Sequence, residues 1–154
     1  MNNLCTEVLR KLAGKTLVTA ESCTGGGIGA AITSVPGSSA IYKGGVISYS
    51  NDVKTEILDV SREVLERYGA VSLPVAGMMA TGVRKLLKAD IAVSVTGLAG
   101  PDGDEYGHPV GTVYIGYEDS RKAIAKKFQF EGDRDSVRNQ AIIAAFNMIL
   151  ENNP

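Results

Sequence analysis

The residues best suited to chemistry stand in one short stretch, Thr19-Ala20-Glu21-Ser22-Cys23-Thr24-Gly25-Gly26-Gly27. The β-prone run Thr16-Leu17-Val18 precedes it and the small-residue run Ile28 to Thr33 follows, so a strand turns into a helix here. Such a junction gathers orphan N–H groups at the positive end of a helix dipole, which favours anions and developing negative charge. Glycines there allow positive φ and let a ligand approach the backbone closely. Ser22 in that setting has the makings of a nucleophile, with neighbouring N–H groups ready for an oxyanion. The same residues also suit a plainer role, an N-cap with glycines for close helix–strand packing. Cys23 adjoins Ser22 but needs no role beyond that of a small, half-buried residue.

A nucleophilic serine needs a base, and the sequence offers few. His108 is the one histidine. It stands in a loop beside Pro109, as easily exposed as functional, so a Ser-His-Asp triad and a His-based metal site are both disfavoured. Cys5 and Cys23 show neither metal-ligand spacing nor a disulfide framework. The stretch Tyr49-Ser50-Asn51-Asp52-Val53-Lys54 supplies an alternative. Tyr49 would end a strand and Lys54 would lie in the first turn of a helix, where burial and the helix dipole both lower an amine's pKa. A Ser–Lys pair, with Tyr49 relaying or orienting the proton, would perform nucleophilic acyl transfer. The plainer reading makes Tyr49 a core strand residue and Lys54 a solvated one.

A second glycine-rich loop, Gly97-Leu98-Ala99-Gly100-Pro101-Asp102-Gly103, follows the almost continuous apolar run Asp90 to Thr96. That run reads as a strand buried on both faces. If the strands leading into the two loops are neighbours, both loops face one crevice at the C-terminal edge of an α/β sheet. Arg134 and Arg138 are four apart and share a helix face, near its start. Their guanidinium forks suit a phosphate, although an exposed Asp/Arg network would look the same.

The elements that position these residues are legible from period and punctuation. Apolar spacing predicts helices over 2–13, from Ile28 to Thr33, from Val53 to Leu58, from Ser61 with Val64, Leu65 and Tyr68 inward, and from Ser72 to about Lys88. Small residues in the last of these suggest tight packing on the sheet or on a partner subunit. Strands are predicted at Lys15 to Ala20, Ala40 to Tyr49 with a bend or bulge at Gly44-Gly45, Asp90 to Thr96, and a hairpin of Gly111 to Glu118 with Lys122 to Phe130. Gly132-Asp133-Arg134-Asp135 caps a final helix with an apolar stripe from Val137 to Ile149, and Asn152-Asn153-Pro154 is expected to fray.

With 154 residues, 44% of them apolar, the expectation is a single α/β domain over 1–154. It is a three-layer-like sandwich with a mixed β-sheet flanked by helices. A net charge of −1 gives no general attraction for nucleic acid or an acidic membrane. No run is long enough to span a bilayer and no signal pattern opens the chain, so a cytoplasmic protein is expected. Nothing in the residues calls for a metal or cofactor.

Taken together, Ala20-Glu21-Ser22-Cys23-Thr24-Gly25-Gly26 and Gly45-Val46-Ile47-Ser48-Tyr49-Ser50-Asn51 with Lys54 resemble the C-terminal domain of the CinA competence/damage-inducible protein family. The resemblance continues through Gly69-Ala70-Val71-Ser72, Thr96 to Gly103, Pro109 to Val113 and Gly132 to Arg138, which is nearly the whole chain in the family's order. It implies a nicotinamide-nucleotide amidase of pyridine nucleotide salvage and NAD metabolism. Such an enzyme hydrolyses nicotinamide mononucleotide to nicotinate mononucleotide and ammonia. It implies Ser22 as nucleophile with Tyr49 and Lys54 activating it, no cofactor, and assembly into homo-oligomers, dimers or higher. Substrate binding falls to Thr24, Gly25 and Gly26, with Thr96, the loop from Gly97 to Gly100, and Arg134 or Arg138 for the phosphate. Longer members carry an extra N-terminal domain for which this chain has no room, so a stand-alone form is expected.

Two rivals remain. A short-chain dehydrogenase is weakened by a Tyr49–Lys54 interval one residue too long, by Ala31 where a fingerprint glycine belongs, and by length. A non-catalytic nucleotide-binding or regulatory module would keep the same loops without turnover.

Overall fold

The computed structural model describes residues 1–154. Its core is one five-stranded mixed sheet in the order β2-β1-β3-β4-β5, formed by Tyr42–Ile47, Leu17–Glu21, Ile91–Gly97, Thr112–Glu118 and Ala123–Gln129. The first three strands run parallel and the last two antiparallel, the final pair closing as the expected hairpin. Helices α1 (Asn2–Lys11), α2 (Gly27–Thr33) and α6 (Arg134–Glu151) cover one face. Helices α3 (Asn51–Leu58), α4 (Arg62–Tyr68) and α5 (Leu73–Leu87) cover the other. This is the helix-flanked mixed sheet that the apolar periods predict.

Side-chain alternation explains the two cores. In β1, Leu17 faces α1, α2 and α6, whereas Val18 and Ala20 face the helices on the other side. In β3, Ile91, Val93 and Val95 take the first face and Ala92 the second. The second face is floored by small residues because α5 lies directly on it. A Cβ at Gly116 would run into the Ala76 carbonyl of α5, and one at Gly82 into the Leu58 carbonyl of α3. Of the two uses foreseen for the small residues of α5, packing on the sheet is therefore met at Ala76 and Ala80, both fully buried.

Caps fall where polar residues announced them. Ser50, Ser61 and Asp133 accept from the amides of Val53, Val64 and Ser136. Three expectations need correction. The β2 strand is shorter than 40–49 and its irregularity falls opposite Leu17/Val18, so Lys43 rather than the glycine pair is skipped in the register. Tyr68 is exposed, since α4 is only two turns long and Leu65 alone of its residues is buried. Asn152 and Asn153 are buried, not frayed. Asn153 Nδ2 donates to Tyr117 Oη at 3.0 Å and to Ile149 O at 2.8 Å, and Lys122 Nζ donates to Asn152 Oδ1 at 3.0 Å.

The close seating of α5 gives a paired stability prediction. Gly82→Ala should lower unfolding free energy by about 1–3 kcal/mol, because backbone on both sides must shift. Gly77→Ala meets open space and should raise it by about 0.5–1 kcal/mol through helix propensity. Urea denaturation checks both, and equal effects at the two sites would contradict this packing.

Candidate active site

Because β2, β1 and β3 are parallel neighbours, their C-terminal ends share one edge of the sheet. The loops after β1 and β3 and the junction between β2 and α3 therefore meet there, as open α/β sheets require of a ligand crevice. A cavity of about 370 Å³ lies between them, lined by Ser22, Tyr49, Lys54, Thr96, Gly100 and Arg134 among others. Its volume suits a small ligand.

Ser22 continues the ladder past the end of β1, its amide donating to Val95 O at 2.9 Å. The chain then turns sharply through Gly25 and Gly26, at φ 59° and 99°, before α2 begins. These are the two positions where glycine's access to the left-handed region is needed. Lys54 comes from the fourth position of α3, and its side chain is 1% exposed. Lys54 Nζ donates to Ser22 Oγ at 3.0 Å, to Ser48 O at 2.6 Å and to Tyr49 O at 3.3 Å. None of these partners is a carboxylate, so nothing offsets the cost of holding a charge there. Burial accordingly pulls the Lys54 amine from 10.5 down to about 8, with the nearby Cys23 a small opposing influence. Burial also pushes the Cys23 thiol up to about 11. It is the Ser22 hydroxyl, not this thiol, that Lys54 Nζ meets.

The remaining singled-out residues divide into those on the crevice and those behind it. Arg134 lines the crevice and bridges its mouth, donating to Gly100 O at 2.6 Å and to Tyr49 Oη at 3.4 Å. Tyr49 is 63% exposed at the rim; its carbonyl rather than its hydroxyl meets Lys54. Thr96 and Gly97 form the floor, the Thr96 hydroxyl donating to Ala70 O at 2.9 Å. Arg138 sits behind the Ser22 turn and donates to the carbonyls of Cys23 and Thr24, both at 3.1 Å. The buried Thr24 hydroxyl donates to Glu21 at 2.6 Å.

The amides are also partly committed. Gly25 N donates to Ser22 O and Gly27 N to Thr24 O, while Ile28 N and Gly29 N donate to the Glu21 carboxylate. The N–H groups of Cys23, Thr24 and Gly26 donate to no backbone carbonyl. They are the ones left for an oxyanion at this turn. Sequence reasoning passed over Glu21 and Ser48. An acid at the last position of a fully buried strand, just ahead of a glycine-rich helix start, was the signal for the first. Nothing marked the second. No group of His, Cys, Asp and Glu is arranged to hold a metal ion.

Comparison with known proteins bears on the family and the fold. A family model described as the CinA C-terminal domain matches residues 1–152. A CinA-like protein of Parasynechococcus marenigrum is 48% identical over 143 residues, 92% of this chain and 34% of that protein. A putative competence-damage inducible protein of Caldanaerobacter subterraneus is 43% identical over 149 residues, 97% of this chain and 36% of that protein. The chain thus spans about a third of the length of these curated relatives. Among solved structures, a competence-damaged protein (CinA) superfamily protein from Escherichia coli superposes with a TM-score of 0.96 at 35% identity, over 98% of this chain and 89% of the other. A competence or damage-inducible protein from Enterobacter asburiae gives 0.97 at 32%, over 99% and 98%.

The Ser22–Lys54 pair predicts a pH profile. Only the neutral amine accepts a proton, so reaction of Ser22 with phenylmethanesulfonyl fluoride should speed up with pH and level off above about 8. In Lys54→Met that limb should vanish. Folding stability should rise above that limb, between about 8 and 10.5, where the unfolded chain keeps a proton that the folded one has lost. A labelling limb unchanged by Lys54→Met would assign the base elsewhere.

Proposed function

The chain belongs to the CinA C-terminal domain family, and we propose that it hydrolyses the carboxamide of nicotinamide mononucleotide, giving nicotinate mononucleotide and ammonia. One observation supports this reading above others: a serine hydroxyl held 3.0 Å from a buried amine with no carboxylate partner, at a crevice walled by glycine loops and an arginine. A binding module has no need of a hydroxyl placed against a buried amine whose pKa is drawn down to about 8, whereas acyl transfer needs both.

In this mechanism Ser22 Oγ attacks the carboxamide carbon while its proton passes to Lys54 Nζ. The resulting tetrahedral oxyanion takes hydrogen bonds from free amides of the Ser22 turn, for which Cys23, Thr24 and Gly26 are available. Lys54 then returns the proton to the departing nitrogen, the C–N bond breaks, and ammonia leaves a nicotinoyl ester on Ser22. Water attacks that ester, giving a proton to Lys54, and the C–O bond to Ser22 breaks as the proton returns to Oγ. One water is consumed and one ammonia released.

At physiological pH this base is poised. About a tenth of an amine with a pKa near 8 is neutral at pH 7, against less than one part in a thousand for an ordinary lysine. Arg134 is the arginine on the crevice and is assigned to the substrate phosphate, with Tyr49 at the rim beside it. Arg138, spent on the Cys23 and Thr24 carbonyls, is assigned to holding the nucleophile's turn.

Ammonia release from nicotinamide mononucleotide tests the reading. Wild type should release it, Ser22→Ala should not, and Arg134→Met should raise KM about tenfold or more with a smaller change in kcat. Folded wild-type protein that binds the nucleotide yet releases no ammonia would favour the non-catalytic module.

A further inference from the structure

Glu21 is the one buried acid of the chain. It ends β1, immediately ahead of Ser22, and is 2% exposed. Its Oε1 accepts from the Thr24 hydroxyl at 2.6 Å and from Ile28 N at 2.8 Å, and its Oε2 accepts from Gly29 N at 3.1 Å. Both oxygens thus act as acceptors. Its three partners are one hydroxyl and two amides, with no lysine or arginine among them. The two amides belong to the first turn of α2, so the carboxylate stands where an external anion would otherwise be drawn.

The backbone of Glu21 joins the two halves of the Ser–Lys pair. It is bonded to Ser22, and its carbonyl accepts from Ser48 N at 2.8 Å. The Ser48 carbonyl in turn accepts from Lys54 Nζ at 2.6 Å. A shift of Glu21 therefore moves Ser22 and Lys54 relative to one another. Thr24 is the second tie, since its hydroxyl pulls the far side of the Ser22 turn onto the same carboxylate.

We infer that Glu21 is a positioning residue whose carboxylate fastens the Ser22 turn to α2, sets the Ser22 Oγ–Lys54 Nζ approach, and closes the helix N-terminus to outside anions. An anionic substrate group entering the crevice is then met by Arg134 instead of by α2. The inference rests on the acyl-transfer reading for its substrate, while the geometry it concerns can be read without one.

The test is the rate at which Ser22 reacts with phenylmethanesulfonyl fluoride, which forms an O–S bond and expels fluoride as the hydroxyl proton passes to Lys54. Glu21→Gln keeps the shape of the side chain but turns an NH₂ group toward an N–H or O–H donor. Its folded fraction should label to the same stoichiometry as wild type but on the order of 10²-fold more slowly, with the pH midpoint unmoved. On nicotinamide mononucleotide the same variant should lose kcat and keep KM. A residue needed only for folding would instead reduce the amount of labelled protein and leave the rate of the folded fraction alone. Thr24→Val removes one of the three bonds and should slow labelling about tenfold, with Thr24→Ser restoring most of it; this pair decides the matter if Glu21→Gln does not fold. Wild-type labelling rates in folded Glu21→Gln, or in Thr24→Val, would overturn the role of Glu21 and leave the amidase untouched. Wild type that labels at Ser22 but releases no ammonia would overturn the amidase and leave Glu21 in place. Wild type that fails to label at all would overturn both.

Discussion

A primary amine has been folded almost wholly out of contact with solvent, and most of the architecture around the crevice follows from that. A buried ammonium with no carboxylate beside it is expensive, and the group yields by giving up its proton more readily. Lys54 is held instead by oxygens: two carbonyls from the segment between β2 and α3 and the hydroxyl of Ser22. Those carbonyls are free because Ser48 and Tyr49 lie beyond the last strand pairing and before the Ser50 cap, where no ladder or helix claims them. The break in secondary structure at 48–50 is thus the means of receiving the amine.

The sheet brings the partner to it. A parallel trio puts three C-terminal ends on one edge, and the central strand of that trio carries Ser22. The antiparallel hairpin of β4 and β5 adds no residue to the crevice, but it widens the core and returns the chain so that α6 starts beside the mouth. From there two arginines one turn apart reach different places. Arg134 reaches across to Gly100 and Tyr49, while Arg138 holds the carbonyls behind Ser22. One helix face therefore serves both the entrance and the rear of the site.

Much of this is written in the sequence, and the parts that are not have physical reasons. Strand–loop–helix signals at Ser22 and Gly97, and the polar cap at Ser50, come from glycines and hydroxyls whose backbone preferences are local. Helix periods and the hairpin are local too. The adjacency of β1 and β3, which turns two loops into one crevice, is a property of topology that no window of sequence contains. The division of labour between Arg134 and Arg138 is equally invisible, since spacing places them on one face and only the neighbours of that face separate them. Glu21 looked like part of a motif rather than a buried anion because its donors, Ile28 and Gly29, are ordinary residues in the sequence. Asn152 and Asn153 read as a solvated tail because polarity suggests water. Their burial depends on the Tyr117 hydroxyl and on carbonyls of the last helical turn that needed partners.

The most direct test of the account is the ionisation of Lys54 itself, read as the ¹⁵Nζ and ¹³Cε shifts of the isotope-labelled protein titrated with pH and assigned by comparison with Lys54→Met. The account requires an inflection near 8. A midpoint near 10.5 would mean that the amine is charged whenever the protein works, and a charged amine cannot take the proton of Ser22.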